Sequence, residues 1–91
     1  MANVTGYVSK KLTANIAEQN VVLGISVFKL IKNASVNTVT INVDNATGDA
    51  DFIELAAGES IENFKVYCKT LYYKASADGS ILKVIGMRDE E

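Results

Sequence analysis

The chain has 91 residues, a formal net charge of -2, 48% hydrophobic residues and 22% charged residues. That length makes one domain and that composition excludes a mainly disordered chain, while the acidic balance excludes a whole-molecule electrostatic binder of nucleic acid. There is no histidine, tryptophan or proline and a single cysteine, Cys68, so an internal disulfide is excluded and the commonest general base and metal ligand are missing. No apolar run approaches the roughly 18–20 residues that cross a bilayer, so no membrane partner is expected. The opening MANVTGYVSKKL lacks the basic-then-apolar order of a signal peptide, so a chain made and kept in a cytoplasm is expected.

Residues 1–20 are the least determined. For residues 9–19 a short helix and an extended arm fit equally, and from Leu12 through Ile16, Leu23, Val27 and Leu30 near-helical spacing makes a helix the rival to a strand over residues 21–31. The expected division is an arm or helix over 1–20 and a β domain over 21–91. VVLGISVFKLI, residues 21–31, is β-branched and apolar on both parities, which predicts a strand buried on both faces. VNTVTINV, residues 36–43, alternates cleanly: Val39, Ile41 and Val43 face one way, Thr38, Thr40 and Asn42 the other. DNATGD reads as a turn, DFIEL as a short strand, and AAGES as a corner at which Gly58 takes a positive φ.

FKVYCKT, residues 64–70, sets Phe64, Val66 and Cys68 inward against Lys65, Tyr67 and Lys69 outward. Leu71, Tyr73 and Ala75 are the next inward set, so a bulge or a change of sheet is expected near Thr70 and Leu71. Asp78-Gly79 within ASADGS is a tight-hairpin signal. It predicts that residues 64–75 pair with the returning strand ILKVIGM in residues 80–87. About six or seven short strands joined by glycine and asparagine turns predict an all-β, antiparallel β-sandwich of jelly-roll-like type.

Few residues carry chemistry. Cys68 has no histidine to activate it and shares the parity of Phe64 and Val66, which makes it a buried small hydrophobe rather than a nucleophile. Asp44, Asp49, Asp51 and Glu54 supply oxygen ligands, but their spacing is not a helix–loop–helix calcium loop and fits a solvated turn. Glu59 with Glu62, or Glu54 with Glu59, have nothing beyond proximity in sequence to make them a hydrolytic pair. Ser60 in Gly-Glu-Ser is not a nucleophile elbow. Asn3-Val-Thr5, Asn33-Ala-Ser35 and Asn45-Ala-Thr47 are formal glycosylation sequons in an asparagine-rich chain. Neither a catalytic residue, a metal nor a cofactor is expected.

The outward set Lys65, Tyr67, Lys69, Tyr72 and Lys74 is the candidate contact surface. Aromatics between lysines on a sheet stack bases and neutralise phosphates in single-strand binders. On an acidic chain with nine basic residues a protein contact is the better reading, tyrosine being enriched at interfaces and lysine tolerated at their rims.

Taken together, Val39 to Asn42 (V-x-I-N), Leu55 to Ser60 (L-x-A-G-E-S), the amphipathic stretch Phe64 to Thr70, and Leu71 to Gly86 with its V-x-G ending resemble small accessory structural proteins of tailed bacteriophages. The resemblance covers about residues 34–87. It implies a non-enzymatic virion protein that decorates or stabilises the capsid, with the major capsid protein or other virion proteins as partners and no nucleic acid. A homo-oligomer is expected, a trimer suiting a threefold site. The alternatives are a tail, neck or fibre-attachment component and, from another class, a small β-barrel that binds nucleic acid or a ligand.

Overall fold

The computed structural model describes residues 7–44, 47 and 52–88. Eight strands follow in order: β1 (Tyr7–Ala14), β2 (Gln19–Ile25), β3 (Val27–Asn33), β4 (Val39–Val43), β5 (Ile53–Leu55), β6 (Ser60–Phe64), β7 (Cys68–Ala75) and β8 (Ser80–Met87). No helix occurs among the described residues. The strands form two four-stranded sheets, sheet A with the order β1-β8-β3-β6 and sheet B with the order β2-β7-β4-β5. Every pairing is antiparallel: β1 with β8, β2 with β7, β3 with β6 and β4 with β5. First pairs with last, second with next to last, and so inward. That is a long hairpin rolled into two layers, the eight-stranded jelly roll of two Greek keys.

The core lies between the sheets. Phe28, Ile31, Leu82 and Val84 come from sheet A, and Leu23, Ile25, Val39, Ile41, Leu55 and Leu71 from sheet B, all fully buried. The inward sets read from alternation hold for β4 at Val39 and Ile41, but not at its end, where Asn42, expected outward, is buried and Val43 is half-buried, and they hold for the later part of β7 (Leu71, Tyr73, Ala75). Gly86 sits on the inner face of β8, where a Cβ would stand 2.8 Å from the Ile25 side chain and from the Val27 carbonyl. Only glycine lets the β2–β3 corner press this closely onto the neighbouring strand.

Four expectations are corrected. The segment 1–20 is not a helix or an appended arm in its described part. Residues 7–14 are β1, paired with β8 along its whole length, because Val8, Leu12 and Ala14 put apolar side chains on one face. Residues 21–31 are not one strand buried on both faces. They are parts of β2 and β3 in different sheets, joined at Ser26, whose N–H donates to the Met87 carbonyl. Two changes of phase put apolar residues on both parities: this corner and the bulge at Lys29, between the pairs Phe28–Gly86 and Leu30–Ile85.

The predicted hairpin of residues 64–75 with 80–87 does not form. β7 pairs with β2 and β4, and β8 with β1 and β3. Residues 76–79 are four rather than the two of a tight hairpin loop, and other loops hold them. Ser76 N–H donates to Thr38 O, Ile16 N–H to the Asp78 carboxylate, and Gly79 N–H to Asn15 Oδ1. The turn signal is real, with Gly79 at a φ of +81°, but it carries the chain from one layer to the other. FKVYCKT, finally, is not one strand. β6 ends at Phe64, residues 65–67 cross between sheets, and β7 begins at Cys68.

The phase change expected near Thr70 and Leu71 is present. Cys68 and Leu71 are both buried, and the register of β2 shifts against β7 between Val22 and Ile25. The extra residue lies in β2, beside Gly24 at a φ of +64°. Asp44, itself at a φ of 60°, accepts hydrogen bonds through Oδ1 from the Lys69 and Thr70 amides at 3.0 and 2.8 Å. A carboxylate thus satisfies the donors that the irregular ladder leaves over.

Candidate functional site

The five residues of the expected contact surface are divided by the fold. Lys65 and Tyr67 lie in the crossover between β6 and β7, and Tyr67 is 61% exposed. Lys69 is exposed at the irregular start of β7. Tyr72 and Lys74 stand on the outer face of sheet B, half-buried, between the inward residues Leu71, Tyr73 and Ala75. The outward parity read from the sequence is right for each. Their common strand face is not, because the chain changes sheet between Tyr67 and Cys68.

Lys74 has company of both signs. Thr40 pairs with Glu54 on one side and with Lys74 on the other, so an acid and a base share one transverse row. They border a shallow depression of about 440 Å³. Its lining includes the hydroxyl residues Thr38, Thr40 and Ser76.

Cys68 is fully buried, and its thiol is pushed up to about 12 by burial first and by the Asp44 carboxylate second. A thiol that stays protonated is a poor nucleophile. Asp44 spends its carboxylate on backbone amides, and Glu59 Oε1 accepts from the Ala56 N–H across the AAGES corner at 2.8 Å. Among the described residues no three or more acidic, cysteine or histidine side chains gather as metal ligands. Asp49 and Asp51 lie outside the described residues, as do Asn3 and Asn45 of the sequons.

Asn33, the remaining sequon asparagine, is fully buried and works as a hub. Its Nδ2 donates to the carbonyls of Asn37, Leu55 and Ala56, and its Oδ1 accepts from the N–H and hydroxyl of Ser35. Its own N–H donates to Glu59 O, and its carbonyl accepts from Gly58 N–H. One side chain therefore joins the end of β3, the β3–β4 turn and the AAGES corner.

A second surface had no signal in the sequence. On sheet A, Lys11 pairs with Lys83, and Lys83 with Lys32, in one transverse row across β1, β8 and β3. All three are exposed and point away from the core, because Leu82, Val84, Ile31 and Asn33 beside them are buried. None forms an ion pair with a described carboxylate. The next row is Ser9, Ile85, Leu30 and Glu62, and beyond it Met87 pairs with Val27. Ile85, Leu30, Met87 and Val27 are half-buried. The outer face of sheet A is thus a lysine bar beside an apolar belt. The three lysines are 21 and 51 residues apart in sequence, so only strand register brings them together.

Comparisons with protein-family models, with curated proteins and with solved structures return no match.

Proposed function

We propose that the protein is a non-enzymatic bacteriophage virion protein that decorates or stabilises the capsid through protein–protein contacts. The observation that carries the proposal is the strand order. The rolled hairpin with sheets β1-β8-β3-β6 and β2-β7-β4-β5 is the jelly roll, a fold used repeatedly for viral shell domains. The link from fold to function is analogy, and the resemblance of residues 34–87 to phage accessory proteins points the same way. Two features support a contact role over catalysis: the chain has no histidine, and its one thiol is buried. The tyrosine–lysine set that would stack bases in the alternative, a small nucleic-acid-binding module, is split between a crossover and a sheet face.

On an icosahedral shell, three copies would meet at each threefold site. The test is direct. Purified particles of the virus that carries the gene should contain the protein in stoichiometric amount, and particles made without it should bind the added protein saturably. A protein abundant in infected cells but missing from purified particles sinks the proposal.

A further inference from the structure

We infer that the outer face of sheet A is a docking surface for an acidic protein surface, with Lys11, Lys83 and Lys32 as its charge-reading row. Cross-strand neighbours carry their Cβ atoms about 4.5–5.5 Å apart, and like charges placed directly opposite are destabilising. Here the arrangement occurs twice in succession, Lys11 against Lys83 and Lys83 against Lys32. Among the described residues the nearest acid on this face, Glu62, lies one row away opposite Leu30 and pairs with none of them. A chain with net charge -2 therefore gathers three lysines side by side with no ion-pair partner among the described residues. An opposing carboxylate surface relieves the repulsion as well as adding attraction, so the row favours an acidic partner twice over.

The belt beside the row decides between classes of polyanion. Leu30, Ile85, Val27 and Met87 form an apolar strip on the same face. A nucleic acid backbone offers nothing to such a strip, and three lysines are few for phosphate binding. A protein surface with an apolar centre and acidic rim fits both parts, as interfaces are built. The row disfavours one arrangement: a second copy laid face to face with its twofold axis through the row would set lysine against lysine. The inference rests on the virion reading for the partner's identity, a shell protein, but not for its chemistry.

The first arm of the test uses poly-L-glutamate as probe and amide NMR shifts of the full chain as readout. Shifts should concentrate at Lys11, Lys32, Lys83 and their row neighbours, fade as salt rises, and weaken at least tenfold in a Lys11→Gln/Lys32→Gln/Lys83→Gln variant. A lone Lys83→Gln, the middle of the row, should show part of that loss with no change in fold. Shifts spread equally over Lys10, Lys29, Lys65, Lys69 and Lys74 overturn the inference. So does a thymidine dodecamer that binds the row more tightly than poly-L-glutamate at the same ionic strength. The second arm uses particles assembled without the protein. Wild type should bind and the triple variant should lose at least tenfold, while Lys65→Gln/Lys69→Gln/Lys74→Gln binds as wild type. Equal binding by the row variant overturns the inference and leaves the virion reading standing. Failure of wild type to bind particles, with the first arm positive, overturns the virion reading and leaves the acidic-partner chemistry intact.

Discussion

Asn33 and Cys68 show how much of this fold depends on single buried atoms. Asn33 uses every donor and acceptor of its amide inside the protein. Asn33→Ala leaves the carbonyl of Leu55 without that partner in a buried setting, and the carbonyl of Ala56 and the Ser35 N–H without it in part-buried ones. Each such group costs about 1–3 kcal/mol, partly offset where water enters, so a loss of roughly 2–4 kcal/mol is expected. Chemical denaturation measures it, and an unchanged midpoint would show that the hub is dispensable. Cys68 makes a pH prediction. Its folded-state value lies well above the ordinary value of 9.0, at about 12, and burial raises Tyr73 above its ordinary 10.0 as well. A raised acid stabilises the fold below its unfolded value and loses that contribution as pH rises through the folded one. Stability should therefore fall between about pH 9 and 12, and less steeply in Cys68→Ala. Equal slopes for the two proteins would mean that Cys68 is not the titrating group. The role of Cys68 was legible from parity alone. That of Asn33 was not, since a sequon says nothing of depth.

At the scale of elements, the strands were more legible than their partners. β4 declares itself by alternation, and AAGES declares its turn, with Gly58 at a φ of +76° and Glu59 N–H donating to Ala56 O. Pairing was misread because Asp78-Gly79 is a local signal and the jelly roll's pairings are not local. β1 meets β8 across most of the chain, and no dipeptide encodes that. The same logic hid the lysine row, whose members sit on three strands. The turn still makes a prediction freed of the hairpin. At a φ of +81°, with nothing within 4 Å of a Cβ, Gly79→Val meets backbone strain but no clash. It should cost about 1–3 kcal/mol, and Gly79→Asn, which tolerates the left-handed region, distinctly less. Thermal unfolding of the pair decides it: equal losses would point to a steric cause that the fold does not show.

The whole molecule sets a restraint on its own assembly. Jelly-roll sheets have outer faces, and an apolar belt on such a face invites a second copy. Sheet A carries one in Leu30, Ile85, Val27 and Met87, yet the adjoining row sets Lys11, Lys83 and Lys32 across β1, β8 and β3. A twofold dimer through this face with its axis at the row brings two lysine bars together in a setting drier than water, where repulsion between like charges grows. The bars thus act against homotypic stacking, as inward or edge charges do elsewhere in β proteins. Wild type should then show no self-association through sheet A at low ionic strength. Replacing the central and inner lysines, Lys83→Thr with Lys32→Thr, extends the belt and removes the repulsion, so the double variant should associate at concentrations where wild type does not. Light scattering at matched concentration and low salt separates the two. A wild type that already dimerises there, with Lys11, Lys32 and Lys83 protected at the contact, would show that the row tolerates its own copy and would remove the charge argument at its root.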